Sequence, residues 1–387
     1  MTPPVVEFAS RSLSKAGEEL CGDCVKVSRS QDSFLAVLSD GLGSGVKANI
    51  LATLTTEIIA TMIERGAAIE DVIDTLIETL PECQVRRLAY ATFSILKVSN
   101  GEEAYIAEYD SPPLLIAHEG NVTSPPVRER EVRGRKIREG SFYLHDGDYM
   151  VMVSDGVLHA GVGGFYKLGW GWHNLATAIR RWADTHPDAY HLAEAIGETA
   201  SRLYGDRPGD DTTVAAMRVR PEMSITVMTG PPSKPDLDEA AVGELMASPG
   251  LKAVCGGTTA QIVARVLGQP LEVQWRPDRN ASGDRIPPIA TINGLDLVTE
   301  GVITLSKATE RLQKVETIHD LPHQNDGATR LARILLQADR IHFIVGDAIN
   351  PQQIADVVRG KPMRQIYLEE LIETLRNKGK IVTLERW

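Results

Sequence analysis

Apolar and polar positions divide the chain into two differently patterned parts. Phe34–Leu38 is a continuous apolar run, the mark of a buried strand, and it leads into Ser39-Asp40-Gly41-Leu42-Gly43-Ser44-Gly45. Beyond it Val46, Ile50, Leu54 and Ile58 recur every four residues, the apolar stripe of a helix over 45–65 that ends at Gly66. Before it, Cys21–Ser28 and Ser33–Ser39 read as two strands joined by a turn centred on Gln31–Asp32. Positions summing to 63 then face each other, which places Asp23 opposite Asp40. Two carboxylates facing across neighbouring strands repel by roughly 1 kcal/mol, so something positive is expected between them.

Residues 1–20 are weakly patterned and lead into a first strand. Ile69, Val72, Ile73, Leu76, Ile77 and Leu80 share one face of a helix over 69–80, which Pro81 stops. Tyr90–Val98 and Ala104–Tyr109 form a hairpin around Asn100-Gly101, followed by a strand at Leu114–Ala117. Residues 119–141 are charged and read as a loop or irregular hairpin. Tyr149–Val153 is a strand that runs into Ser154-Asp155-Gly156, repeating the arrangement at Asp40. Helices over 171–183 and 188–203 precede Arg207-Pro208-Gly209-Asp210-Asp211-Thr212-Thr213, which opens a last strand, Val214–Val219.

From about 222 strands and helices alternate, which predicts a mostly parallel sheet covered by helices. Ile225–Met228, Leu251–Val254, Ile289–Ile292 and Ile341–Val345 are the strands. Helices are expected over 236–247 and 259–267, and near 307–315, 326–338, 351–358 and 367–377. The expected division is 1–220 and 222–387.

Composition narrows the function classes. A net charge of −11 over 387 residues disfavours an extended nucleic-acid partner. No uninterrupted apolar run approaches the roughly 20 residues of a membrane span, and the N-terminus lacks the pattern of a signal peptide. Four cysteines argue against a disulfide framework and for a cytoplasmic protein. Cys21 and Cys24 form half a zinc-site pattern, and packing in a strand is the stronger reading for both.

Chemistry concentrates in five acids at strand ends and loop heads: Asp23, Asp40, Asp155, Asp210 and Asp211. Two are followed by glycine, where a side chain would block close approach. An all-oxygen set with no histidine points to a hard cation, Mg²⁺ or Mn²⁺. Two such ions sharing carboxylates suit in-line hydrolysis of a phosphoryl group.

Over residues 10–220 these motifs resemble the PP2C-type metal-dependent Ser/Thr protein phosphatases, in their bacterial SpoIIE-like branch. Gly22-Asp23, Ser39-Asp40-Gly41, Val153-Ser154-Asp155-Gly156-Val157 and Gly209-Asp210-Asp211-Thr212-Thr213-Val214 are similar to the family's metal motifs, in family order. Tyr109–Leu115 resembles its Gly-His-Pro-Pro-Leu-Leu segment. The resemblance implies an α+β fold, a two-sheet sandwich flanked by helices, here followed by an α/β Rossmann-like domain. It implies two Mn²⁺ or Mg²⁺ ions held by Asp23, Asp40, Gly41, Asp155, Asp210 and Asp211, with Asp40 as the bridge and Asp40 and Asp155 as catalytic residues. By alignment Asp210 is the better ligand of the last pair. The implied reaction is hydrolysis of phosphoserine or phosphothreonine on a protein by a metal-bridged hydroxide. Glu18-Glu19 stand where eukaryotic members carry a phosphate-holding arginine. Helix 45–65 corresponds to the element implied to switch the metal site on.

His159 as a general acid, and Lys47 as a phosphate contact, are weaker candidates. The alternative to an enzyme is a catalytically silent scaffold of the same fold. In the second part Gly256, Gly257, Thr258 and Thr259 fall where a strand meets a helix and can receive a small anionic ligand, which suggests a regulatory or ligand-sensing domain. A homodimer is a further candidate assembly.

Overall fold

The structure is a computed structural model that describes residues 4–30, 32–80, 91–274, 287–348, 357–358 and 361–387. Two compact units divide at Pro221/Glu222.

The first unit opens with β1 (Pro4–Leu13), β2 (Asp23–Arg29) and β3 (Ser33–Gly41), then α1 (Gly45–Glu64) and α2 (Ile69–Thr79). Strands β4 (Ala91–Ser99), β5 (Glu103–Tyr109), β6 (Leu115–His118), β7 (Asn121–Thr123), β8 (Arg128–Val132), β9 (Arg135–Tyr143) and β10 (Tyr149–Val153) follow. Helices α3 (Asp155–His159), α4 (Gly171–Ala183) and α5 (Ala189–Leu203) lead to β11 (Thr212–Pro221). One antiparallel sheet has the order β1-β11-β10-β6-β7, the other β2-β3-β4-β5-β9-β8.

The continuous apolar run in β3 has a physical reason, because the strand is covered on both faces. Phe34, Ala36 and Leu38 enter a core with Val6, Met150, Met152 and Met217 of the other sheet. Leu35 and Val37 point the opposite way, to Ile59, Ile63, Val72 and Ile73 of α1 and α2. On the far side of the sandwich, Val151 and Val153 pack on Leu175, Ile179, Leu192 and Ile196 of α4 and α5. The Asn100-Gly101 turn forms with both residues at positive φ, 50° and 73°, as the twist of a two-residue hairpin requires.

One expectation is corrected and a second is narrowed. The stripe Val46, Ile50 and Leu54 faces solvent, each about half exposed. The packed face of α1 is instead Ala48, Ala52, Thr55, Thr56, Ile59, Ala60 and Ile63. Small residues let the helix lie close on the sheet, so close packing and not bulk hydrophobicity chose the face. By length and composition α1 also passes as a membrane span, with that face packed on the β2–β3 end of the sheet. In the stretch 119–141 the hairpin holds and the loop does not: β8 pairs with β9, and β9 joins the sheet by pairing with β5 over seven residues. Val132 and Ile137 enter the core beneath α1 and α2, and ion pairs hold the polar positions, with Arg138 on buried Glu108 at 3.1 Å and Lys136 on Glu129 at 2.8 Å.

The second unit begins with β12 (Ser224–Thr229), α6 (Asp238–Ala247), β13 (Leu251–Cys255) and α7 (Gly257–Leu267). It continues through β14 (Glu272–Gln274), β15 (Ile289–Thr291), β16 (Leu297–Thr299), α8 (Val302–Lys314), α9 (Gly327–Gln337) and β17 (Arg340–Val345). The short pair β18 (Val357–Val358) and β19 (Lys361–Pro362) precedes α10 (Met363–Asn377) and β20 (Ile381–Arg386). The helix expected near 351–358 falls at 351–356 outside the described residues, and 357–358 is strand. Cys83 also lies outside them.

Strands β16-β13-β12-β17-β20 are parallel neighbours, with β14 and β15 antiparallel at one edge. Helices α8, α9 and α10 cover one face, and α6 and α7 the other. This is a doubly wound α/β sheet whose strand order reverses between β12 and β17. The short strand β16 and the terminal β20 carried too little pattern to be expected from sequence.

Candidate active site

Strands β2 and β3 pair with Asp23 directly opposite Asp40, the register read from the sequence. The turn after β3 is held from two sides. Gly41 N–H donates to Gly22 O at 3.2 Å. A Cβ on Gly41 would lie 2.1 Å from Ala48 O, so only glycine lets α1 sit against the strand end. Asn49, one residue further along α1, donates from Nδ2 to Cys21 O at 2.8 Å. The first turns of α1 are thus bonded to the segments that carry both acids.

The third and fourth acidic motifs come together through β10 and β11, which are neighbours in the other sheet. Ser154 Oγ accepts from Thr213 N–H at 2.8 Å, and Ser154 N–H donates to Thr213 O at 2.9 Å. Tyr204 Oη donates to Gly156 O at 2.7 Å. Asp155 starts α3, and His159 one turn on places Nδ1 at 3.7 Å from Asp155 Oδ2.

The five acids differ in surroundings. Asp23 and Asp211 are each only 4% exposed. Both carboxylate oxygens of Asp23, and Oδ2 of Asp211, are buried without a hydrogen-bond partner. The Asp211 Oδ2 atom points at Gly22, where a Cβ would lie 2.7 Å from it. Asp211 Oδ1 accepts from Lys15 N–H at 3.0 Å. Asp210 is half-exposed and faces Lys15 Nζ at 3.6 Å. The structure therefore gives the two members of this pair separate environments, with Asp211 the inner one.

Electrostatics reflect this crowding. Burial pushes the Asp23 carboxyl well above the usual carboxylate range, and the charges of Asp211 and Asp155 push it further. The Ser154 and Thr213 hydroxyls offset this in part, although neither reaches hydrogen-bond geometry to Asp23. Asp40 is raised by burial first, then by Asp23, Asp155, Asp210 and Asp211. Burial also raises Asp155, against the opposing pull of His159.

Buried, unpartnered carboxylate oxygens in a field of like charge are a poor resting place for anions. A divalent cation removes that penalty, and oxygen-only donors suit Mg²⁺ or Mn²⁺ over softer ions. The donor chemistry fits a hard cation. The acids line the site without drawing three ligand atoms within 4.8 Å of one another; His118, His145 and Asp148 do so elsewhere in the first unit.

The remaining candidates resolve individually. Cys21 and Cys24 are free thiols. Burial, and then the Asp23 charge, push the Cys21 thiol up to about 12, far from a reactive thiolate. Cys24 accepts from Thr56 Oγ1 at 3.4 Å, a packing role. Lys47 is exposed on the first turn of α1. The Tyr109–Leu115 segment is a structural turn: Asp110 takes φ 48° and Glu108 Oε1 accepts from Leu114 N–H at 2.7 Å. Sequence reasoning missed Lys15, Tyr204 and Ser154. Ser154 stands inside a motif; Lys15 and Tyr204 carry no local signal, since only the fold brings them to the acids.

Residues 30–220 match the family model for stage II sporulation protein E (SpoIIE). This part of the chain is a SpoIIE-family domain, of the PP2C-like phosphatase class. Several solved structures are similar to the chain at low identity. The SpoIIE phosphatase domain from Bacillus subtilis is 19% identical and covers 57% of this chain and 95% of its own, with a TM-score of 0.44. The RsbU and RsbW domains of Rv1364c from Mycobacterium tuberculosis are 17% identical, covering 63% and 69%, with a TM-score of 0.46. The SiaA-PP2C domain of Pseudomonas aeruginosa is 22% identical, covering 54% and 85%, with a TM-score of 0.44. No curated protein matches the sequence.

Proposed function

We propose that the first unit is a Mn²⁺- or Mg²⁺-dependent phosphatase that hydrolyses phosphoserine or phosphothreonine on a protein, as part of a signalling pathway. The observation that carries this reading is Asp23: a buried carboxylate with no partner on either oxygen, in register with Asp40 and beside the free oxygen of Asp211. Asp23, Asp40, Asp155, Asp210 and Asp211, with the Gly41 carbonyl, would hold two ions. When bound, such ions neutralise phosphoryl charge and make water a nucleophile near neutral pH.

The chain's own residues set up the rest. Asp40 stands at the end of β3 opposite Asp23, and after burial the charges of Asp23, Asp155, Asp210 and Asp211 all raise its carboxyl. The Ser154–Thr213 pair and the Tyr204–Gly156 bond fix Asp155 relative to Asp210 and Asp211. His159, beside Asp155 and more than half exposed, is positioned to pass a proton to the departing serine or threonine oxygen. Gly41 and Asn49 tie α1 to the acid strands, so a shift of α1 moves Gly41 with it.

The test is Mn²⁺-dependent hydrolysis of a phosphopeptide by the wild type, Asp40→Asn and Asp155→Asn. Loss of activity in both variants is expected. Activity insensitive to both substitutions removes the site assignment.

We further infer that the second unit regulates the first by taking a small anionic ligand at Gly256, Gly257, Thr258 and Thr259. Support comes from the position of Gly256 at the end of β13, with φ 135°, ahead of an eleven-residue helix. A thermal shift of the full chain with phosphate-bearing metabolites tests this, and none across a broad panel counts against it. The free thiols at Cys21, Cys24 and Cys255 support a cytoplasmic setting. A homodimer would have the exposed Val46, Ile50 and Leu54 stripe to bury.

A further inference from the structure

Beside the acids lies a cleft of about 920 Å³, most of whose lining has no role in the steps above. One end belongs to the acid site, through His159 and Asp210. One wall is the Gly161–Phe165 loop, and the other is formed by Leu203, Tyr204 and Arg207. A phosphoryl group would fill a small part of it, since clefts of this volume take ligands of many heavy atoms.

Three features give the cleft a chemical preference. The first is apolar. Val162, Phe165 and Leu168 are 56%, 76% and 84% exposed on one short loop, and the first two line the cleft. The loop is not a loose tail. Tyr166 N–H donates to Gly161 O at 3.1 Å, Gly163 N–H to Tyr166 O at 3.1 Å, and Trp170 N–H to Ala160 O at 2.8 Å. Trp170 at its end is buried in the core of the α4–α5 face. A held loop that presents an aromatic ring to water beside a cleft is a surface waiting to be covered.

The second feature is charge. Arg207 is exposed and makes no ion pair among the described residues, in a chain of net charge −11. Lys15, by contrast, is engaged with Asp210. Guanidinium groups match phosphoryl oxygens with paired donors. The third feature is fixed position, because the Tyr204–Gly156 hydrogen bond anchors this wall to the motif that carries Asp155.

Resting on the phosphatase reading, we infer that this cleft is the specificity site for the protein substrate. It takes an extended segment with an apolar or aromatic residue beside the phosphorylated serine or threonine. Phe165 and Val162 cover that flanking side chain, and Arg207 meets the phosphoryl group as it enters the acid site. A small phosphoester offers nothing to the apolar wall.

The test is fluorescence anisotropy with the full chain, Mn²⁺ and labelled peptides that carry a non-hydrolysable phosphonate analogue of phosphoserine. One peptide has leucine and phenylalanine flanks and the other glycine flanks. The wild type is expected to bind the apolar-flanked peptide at least about tenfold more tightly than the glycine-flanked one. Phe165→Ser should abolish that preference while leaving the melting temperature unchanged. Arg207→Glu should weaken both peptides by about tenfold or more. No binding by the wild type, equal binding of the two peptides, or binding indifferent to both substitutions overturns the inference. Binding with the expected dependence, but no hydrolysis of the matching phosphopeptide, would leave the cleft assigned and remove the phosphatase reading.

Discussion

Asp23 and Asp40 face each other across β2 and β3, and the inner of the two, Asp23, is buried with neither oxygen bonded. Such a pair lowers the stability of the metal-free fold, so neutralising one member should raise it. Asp40→Asn is expected to stabilise the metal-free protein by about 1 kcal/mol while removing Mn²⁺-dependent activity. Urea unfolding in the presence of a chelator checks the first part, and phosphopeptide hydrolysis the second.

The pH dependence has a definite sign. Asp23, Asp40 and Asp155 all have raised carboxyl values in the fold, so between the unfolded carboxylate value and the folded one the native state holds more protons than the unfolded state. Stability of the metal-free protein therefore falls as pH rises through that window. Melting temperatures measured with a chelator from about pH 5 to 8 should decline. Saturating Mn²⁺ should flatten the slope, because a bound cation replaces the protons.

Gly41→Ala tests the joint between β3 and α1. The added methyl would lie 2.1 Å from Ala48 O, a contact with backbone that no rotamer change relieves. A loss of about 1–3 kcal/mol is expected, with activity falling further than stability because the α1 start and Asp40 move together. Denaturant unfolding alongside kcat and KM separates the two effects.

In the second unit, Asp326 caps α9 by accepting from Thr329 N–H at 2.9 Å and is paired with nearly buried Arg311. Asp326→Ala leaves that guanidinium without its counter-ion in a low-dielectric setting. A cost of about 3 kcal/mol is expected, read as a lower urea midpoint. Asp326→Asn keeps the cap and should lose less.

The legible part of this fold is the part set by local chemistry. The Asn100-Gly101 hairpin needs only two residues that tolerate positive φ. The Asp23–Asp40 register needs only a turn position, because side chains alternate with period two. The doubly wound second unit was legible from alternating strands and helices. What failed was the face of α1: Val46, Ile50 and Leu54 looked like the buried stripe, yet Ala48 and Ala52 pack inward. Periodicity marks a helix; which face goes down depends on how close the neighbouring sheet comes, and that distance is not local.

The sequence by itself determined the acids, their order, and the strand ends that carry them, since each motif is a few residues whose geometry is fixed by backbone rules. Tertiary structure alone decided that Lys15 bonds Asp211, that Tyr204 anchors Gly156, and that Asp211 lies inward while Asp210 faces outward. Those pairings join residues nearly fifty to nearly two hundred positions apart. Pairing of β1 with β11, and packing of α5 against those strands, bring such partners together, and no local pattern encodes it.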